Sequence, residues 1–342
     1  MKDQTLILGI ETSCDETAAA VVANGGFVLS NIIYSQIDIH RGFGGVVPEI
    51  AARNHVGKID HVVQMALDEA NVVLDDISAI AVTHGPGLVG ALLVGVNFAK
   101  GLAFGADLSL IAVNHLEGHI ASAYLENAGF APPFVAMIVS GGHSHLVHVR
   151  DYGDYTVIGR TQDDAAGEAF DKVARTLNLP YPGGVEIDKL AKQGNPAAIP
   201  FPRAKLGDCL NFSFSGLKSA VINYLNTAKM KGEQVNDADI AASFQEAVVD
   251  VLTKNAMEAC KATGCNRLAV VGGVACNSRL REALMDACGE NGIKLHIPKP
   301  VLCTDNAAMI AAAGYYHYTV KNFADMALNG SPSLQLGEGI CT

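Results

Sequence analysis

The sequence predicts an α/β protein made by duplication, two halves that each read βββαβαβα. Three observations predict it. Short apolar runs alternate with stretches of helical periodicity, the three-strand opening recurs after Pro132-Pro133, and glycine-rich turns stand at matching strand ends in both halves. The expected division is residues 1–130 and 131–342.

In the first half, Leu6–Thr12 has the apolar character of a buried strand and Ser13-Cys14-Asp15-Glu16 that of a polar turn. Thr17–Ala23 and Phe27–Ile33 follow as strands joined by the hairpin signal Asn24-Gly25-Gly26. From Val47 to Glu69, Ile50, Val56, Ile59, Val62, Val63, Ala66 and Leu67 fall largely on one helical face. Strand Ile77–Thr83, a glycine-rich loop, a helix to about Ala103, strand Leu110–Val113 and a helix through His119 to Glu126 complete the half. The second half repeats the order: strands Phe134–Val139, His145–Val149 and Tyr155–Gly159, helix Ala165–Asn178, then helix Asp239–Ala262. Strand Leu268–Val271, helix Ser278–Cys288, strand Ile293–Ile297 and helix Asp305–Tyr318 close it. A basic segment at about 180–235, rich in Pro and Gly at its start, reads as an insertion, and the residues from Asn329 onward read as polar and mobile.

The chain has 342 residues, enough for about two domains at roughly 100–200 residues each. Hydrophobic residues make up 49% and charged residues 17%, which excludes a disordered or coiled-coil chain. A net charge of −11 argues against a generally basic nucleic-acid binder. Charge is uneven, however: nine basic residues (Lys172, Arg175, Lys189, Lys192, Arg203, Lys205, Lys218, Lys229, Lys231) face three acidic ones between 172 and 231, which suits contact with a polyanion. The eight cysteines form no C-x-x-C pair and no disulfide framework. The apolar run after Gln4 is too short for a signal-peptide core. The uncharged stretch before Lys100 is broken by Gly85, Pro86, Gly87, Gly90 and Gly95. A reduced, soluble, cytoplasmic protein is expected.

Three glycine-rich turns, His84-Gly85-Pro86-Gly87, Ser140-Gly141-Gly142 and Gly272-Gly273, would let backbone N–H groups approach a phosphate, and together suggest a nucleotide in a cleft between the halves. His115 and His119 are one helical turn apart, and Asp305 opens the matching helix of the second half. Two imidazoles and a carboxylate leave open positions on a divalent metal, as in a catalytic site. The segment His115-Leu116-Glu117-Gly118-His119 differs from the zinc-protease pattern, where Glu directly follows the first His. Here Glu117 lies about 200° around the helix from His115 and points away.

These residues sit in nine ordered segments. They are Glu11–Thr17, Gly85-Pro86-Gly87-Leu88, Asn114–His119, Ser140–His143, Gly167–Lys172, Tyr181-Pro182-Gly183-Gly184, Phe212–Lys218, Gly272–Asn277 and Cys303-Thr304-Asp305-Asn306. On them the chain closely resembles the TsaD family, tRNA N6-adenosine threonylcarbamoyltransferases formerly called glycoproteases. The element order resembles the actin/Hsp70/sugar-kinase (ASKHA) architecture, two lobes around a cleft. The resemblance implies transfer of threonylcarbamoyl from threonylcarbamoyl-adenylate to N6 of the adenosine beside a tRNA anticodon (A37), forming t6A and releasing AMP. It further implies His115, His119 and Asp305 as metal ligands, and Ile138, Val139, Ser140, Gly141 and Gly142 as the loop on the phosphate and carbamoyl end. Asp171, Gly184, Asp188 and Asn277 would be the remaining substrate contacts. One divalent metal per subunit is expected, Fe2+ first and Zn2+ second, with a TsaB-like paralogue and a TsaE-like ATPase as partners and no membrane. Asp15 and Glu16 are the candidates for a general base. The competing readings are a metal-dependent glycoprotein endopeptidase, disfavoured by Glu117, and an ASKHA-type ATPase or scaffold.

Overall fold

Glu11 and its neighbours enter the structure on β1 (Leu6–Glu11), a strand buried along its whole length at the centre of the first sheet. The computed structural model describes residues 4–337 apart from 126, 128, 205 and 208, so Lys205, Cys341 and the expected helix end at Glu126 lie outside the described residues. β1 pairs antiparallel with β2 (Glu16–Ala23), which pairs antiparallel with β3 (Phe27–Ser35). Asn24 and Gly25 adopt φ of 50° and 69°, the left-handed pair a tight hairpin turn demands. Three helices follow: α1 (Ile37–Arg41), α2 (Pro48–Val56) and α3 (Ile59–Ala70). The single helix expected over 47–69 is therefore two, broken at Gly57-Lys58, and α1 lacks the length to show as periodicity. β4 (Ala79–Gly85), α4 (Val89–Ala106), β5 (Ser109–Asn114) and α5 (His115–Ala121) complete the run. The strand order is β3-β2-β1-β4-β5, with β1, β4 and β5 parallel.

The second sheet repeats this plan: β6 (Phe134–Val139), β7 (Ser144–Asp151) and β8 (Asp154–Arg160) on one side, β9 (Arg267–Val271) and β10 (Lys294–His296) on the other. Its order, β10-β9-β6-β7-β8, matches the first sheet strand for strand, so the duplicated α/β fold is present as expected. Between β8 and β9 lie α6 (Ala166–Thr176), α7 (Gly183–Ala191), α8 (Ser215–Lys231) and α9 (Asp237–Thr263). The insertion at 180–235 thus contains two helices, α7 and α8, separated by an irregular stretch. α10 (Ser278–Asn291), the short α11 (Pro300–Cys303) and α12 (Ala307–Thr319) follow.

The chain divides into two compact units that differ from the expected 1–130 and 131–342. One unit holds the residues up to 132, 151–155 and those from Val301; the other holds 133–150 and 156–300. The segment from Val301 thus leaves the second half, because α12 packs on the first sheet against β1, β2 and β4. Its residues Ala307–Gly314 are all buried and mostly alanine, which lets the helix come close. At Gly9 a Cβ would run into the Ala307 carbonyl and lie 2.8 Å from the Ala311 nitrogen, and at Gly314 one would lie 2.5 Å from Ala81 Cβ. Small residues on both faces make the contact.

Candidate metal centre

β5 leads into the helix that carries both histidines. Asn114, its last residue, caps α5 by accepting from the Leu116 N–H at 2.9 Å, so the helix begins at His115. His115 and His119 then share one face, ring centroids 4.7 Å apart and edge to face. Asn306 caps α12 in the same way, accepting from Met309 N at 3.0 Å, and the residue before it is Asp305. α12 packs against α5, which brings Asp305 Oδ1 to 3.3 Å from His119 Nε2 and 3.6 Å from His115 Nε2. One ligand atom from each residue lies within 4.8 Å of the others.

The donor set fits a divalent cation. His119 is completely buried, its Nε2 faces Asp305, and its Nδ1 makes no hydrogen bond among the described residues. Leaving such a group unpaired costs about 1–3 kcal/mol. Two imidazole nitrogens and a carboxylate oxygen suit borderline transition metals and leave coordination positions open. Burial acting alone would depress His115, but the Asp305 and Glu11 carboxylates outweigh it and push its pKa up to about 9. Burial, with the nearby His115 charge, holds His119 below its ordinary value. The carboxylates that keep a proton on His115 also attract a cation, which displaces that proton.

Glu11 is a residue the spacing arguments missed. Its fully buried carboxylate accepts from the Ser13 N–H, from Thr83 Oγ1 at 2.6 Å and from His115 Nδ1 at 3.0 Å, with Ser13 Oγ 3.1 Å from the same nitrogen. Burial works to raise its pKa, but the His115 charge prevails and lowers it. A carboxylate on Nδ1–H turns Nε2 toward the metal side and makes the ring more basic. The available signal was a lone acid closing an otherwise apolar strand, Leu6-Ile7-Leu8-Gly9-Ile10-Glu11. Glu117 faces elsewhere, as its position on α5 requires. It accepts from Tyr155 Oη at 3.2 Å and lies 2.9 and 3.0 Å from His317 Nε2. That engagement removes the base a zinc peptidase needs.

Asp15 ends the turn after β1 and Glu16 opens β2. Asp15 is buried, and its side chain hydrogen-bonds with those of Cys14 and Glu16. Glu16 Oε1 accepts from Ser35 Oγ at 3.0 Å. Burial and the Asp15 and Asp305 charges push the Glu16 carboxyl well above the usual carboxylate range.

The three glycine-rich turns are not equivalent. In His84–Gly87 the backbone is already occupied: Ser331 N donates to the His84 carbonyl at 2.7 Å, Gly87 N to Pro332 at 3.2 Å and Leu88 N to Ser13 at 2.8 Å. Gly85 has no room for a Cβ beside the Ser331 carbonyl, so glycine there serves close backbone packing rather than a phosphate. The tail expected to be mobile is tied down over the described part, with Asn114 Nδ2 donating to the Gln335 carbonyl at 3.1 Å. Of the second unit's two turns, Ser140-Gly141-Gly142 is the open one and Gly272-Gly273 begins in close packing. Gly141 and Gly142 are exposed, with nothing within 4 Å of an added Cβ, and Gly272 (φ 94°) packs directly on the Val139 carbonyl. The β6 and β9 strand ends therefore present adjacent turns, with Ile138 and Val139 buried behind them.

Several expected substrate contacts in this unit also hold the backbone. Asp171 Oδ1 accepts from Gly183 N at 2.7 Å at the start of α7, beside Gly184. Asp188 Oδ1 accepts from Ser278 Oγ at 2.8 Å. Asn277 caps α10 through Leu280 N at 2.9 Å and donates to Gln245 Oε1 at 2.7 Å. Among the described basic residues between 172 and 231, at least six are ion-paired: Lys172 and Lys218 with Asp164, Lys189 with Glu186, Lys192 with Asp188, Arg203 with Asp250 and Lys231 with Glu233. Their net attraction for a polyanion is correspondingly smaller.

A family model described as TsaD, tRNA N6-adenosine threonylcarbamoyltransferase, matches residues 27–312. The chain belongs to the TsaD family. Relatives named tRNA N6-adenosine threonylcarbamoyltransferase include one from Clostridium beijerinckii, 60% identical over 337 residues and covering 98% of this chain and 99% of its own. One from Clostridium botulinum is 58% identical over 339 residues, covering 99% and 100%. Among solved structures, T. kodakarensis HypF has a TM-score of 0.65 at 15% identity, over 93% of this chain and 48% of that one. Component A of Acidaminococcus fermentans (R)-2-hydroxyglutaryl-CoA dehydratase scores 0.55 at 16% identity, over 93% and 99%. At such identities the structures speak for the fold alone. The TsaD family match takes in His115, His119 and Asp305 but starts after β1, so Glu11, Asp15 and Glu16 are placed by the structure.

Proposed function

We propose that this chain transfers a threonylcarbamoyl group from threonylcarbamoyl-adenylate to N6 of A37 beside a tRNA anticodon, forming t6A. The observation that carries the reading is the His115–His119–Asp305 cluster in a chain 58–60% identical to named threonylcarbamoyltransferases. In the reaction the N6–carbonyl carbon bond forms and the carbon–phosphate oxygen bond breaks. AMP leaves with the electron pair, and N6 gives up one proton. A bound divalent metal supplies Lewis-acid stabilisation of developing negative charge. Fe2+ is the first choice and Zn2+ the second, because imidazole donors are less natural for magnesium.

His115, His119 and Asp305 hold that metal, and Glu11 orients His115. The open turn Ser140-Gly141-Gly142, with Ile138 and Val139 behind it, takes the phosphate and carbamoyl end. Asp171 and Asp188 suit ribose hydroxyls, and Gly184 and Asn277 complete the adenylate's contacts. AMP is a good leaving group, so the proton on N6 needs at most a weak base, for which Asp15 and Glu16 are the candidates.

The protein works in the cytoplasm with a TsaB-like paralogue and a TsaE-like ATPase. The net charge of −11 supports a need for partners in holding tRNA. So does α4, whose Val89 and Phe104 are 54% and 79% exposed. α4 is also long and apolar enough to cross a membrane by length and composition, but it packs on β4 and α2.

The test is nucleoside analysis of unmodified tRNA incubated with the purified chain, threonylcarbamoyl-adenylate, metal and partners. Modified adenosine that disappears in His119→Ala supports the reading. Glycoprotein cleavage lost on chelation would favour the peptidase, and steady ATP hydrolysis by the chain alone the ATPase.

A further inference from the structure

Glu117 stands between the two histidines of the metal centre, and the proposed reaction gives it no task. Its side chain is nonetheless buried, at 6% exposure for the residue. Its two carboxylate oxygens lie 2.9 and 3.0 Å from His317 Nε2, and Tyr155 Oη donates to Oε1 at 3.2 Å. Burial acting alone would depress His317, but the hydrogen bond and charge of Glu117 outweigh it and raise its pKa. A hydrogen bond to an ionised carboxylate is about twice as strong as one between neutral groups. The other side of the imidazole is fixed as well. Asn322 Nδ2 lies 2.8 Å from Nδ1, and Asn322 N donates to the His317 carbonyl at 2.9 Å.

The pair joins the same two helices that carry the metal ligands. α5 meets α12 through three successive residues, each turned about 100° from the last around the α5 axis. Gly118 is the crossing point, where an added Cβ would lie 2.6 Å from Ile310 Cδ1 and 3.3 Å from Met309 Cγ. On one side of it His119 Nε2 lies 3.3 Å from Asp305 Oδ1, just before α12 begins. On the other side Glu117 reaches His317 in the last turn of α12. The middle contact is apolar and sets distance but not rotation, whereas a hydrogen bond has a direction. α12 is itself seated on the first sheet by Gly9 and Gly314, so it is the fixed partner. α5 has only seven residues and is capped at its start by Asn114. At the side-chain radius of a helix, about 5–6 Å, a rotation of about 5° displaces a ring nitrogen by about 0.5 Å, the tolerance of a preorganised site.

We propose that the Glu117–His317 pair is a positioning device for the metal centre: it stops α5 from turning about its axis and so holds His115 and His119 in place against Asp305. The inference rests on the metal centre proposed above and not on the reaction carried out there. Glu117 and His317 are positioning residues, since they act on the ion only through the histidines that α5 carries.

The experiment titrates the chelator-stripped full chain with Zn2+ against a competing indicator, and with Co2+, whose visible absorption reports coordination geometry. Glu117→Leu and His317→Phe each remove the bond. Each should weaken Zn2+ binding at least tenfold and alter the Co2+ bands, and the double variant should be no worse than either single one. His317→Gln keeps an N–H donor and should recover part of the affinity. Metal-free melts establish that each variant is folded at the titration temperature. If His317→Phe does not fold, His317→Asn, whose side chain is too short to reach Glu117, takes its place. A pair that only stabilises the fold would lower the metal-free melting temperature and leave the affinity and the Co2+ bands of the folded variants as in the wild type; that result overturns the proposal. A wild type that takes up no ion removes the centre and the positioning role with it. Weakened metal binding in the variants of a chain that modifies no tRNA supports the positioning role and counts against the transfer reaction alone.

Discussion

Replacing Glu11 by Gln tests whether the buried carboxylate governs metal binding. The wild-type carboxylate receives three donors: the Ser13 N–H, Thr83 Oγ1 and His115 Nδ1. An amide keeps one acceptor oxygen and puts an NH2 where the other was, so at least one donor faces a donor. That strands a buried group at about 1–3 kcal/mol and releases His115 from its fixed tautomer. Losing such a partner of a metal-ligating histidine typically costs about 10–100-fold in metal affinity. The assay is titration of chelator-stripped protein with Zn2+ and with anaerobic Fe2+ against a competing indicator, alongside metal-free melts. Glu11→Gln should bind about 10–100-fold more weakly, and Thr83→Val, which removes one donor and keeps the carboxylate, should lose less. Glu11→Gln binding metal as tightly as the wild type would refute the reasoning.

Other consequences follow from individual contacts. Gly9→Ala forces a Cβ into the Ala307 backbone and should destabilise by at least about 2 kcal/mol in denaturant melts; a neutral result would mean that α12 does not lie against β1 as described. Asn277→Ala removes the α10 cap and strands Gln245, costing about 1–2 kcal/mol, whereas Asn277→Asp keeps the cap and should cost less. Burial first, then the Arg160 charge, push His145 down to about 4 from an ordinary 6.5. Between those values the unfolded chain binds a proton that the folded chain refuses, so this contribution to stability falls as pH drops, by about 2 kcal/mol from pH 7 to pH 5. His145→Phe should flatten that part of the profile; an unchanged slope would show that His145 does not carry it.

Much of the fold was legible because strand and helix periods survive burial. The three-strand openings, the Asn24-Gly25 turn, the helix bearing His115 and the helix after Asn277 all followed local signals. The destination of α12 did not. Its alanine-rich sequence marks a buried helix but says nothing about which sheet buries it, and that depends on Gly9 and Gly314 meeting across an interface. The glycine turns erred for a related reason. Glycine at Gly85 reports a close approach, and only the structure shows that Ser331 rather than a phosphate makes it. In the site, the His115–His119 spacing was readable as one helical turn, whereas Glu11 reaches His115 across 104 residues and leaves no periodic trace.

The most direct measurement is metal stoichiometry together with the X-ray absorption spectrum of the full chain reconstituted with a single divalent metal. The expected result is one ion per chain with the scattering of two imidazoles, lost in the His115→Ala, His119→Ala double variant. No bound ion, or an ion that the double variant retains with an unchanged spectrum, would contradict a centre built from His115, His119 and Asp305.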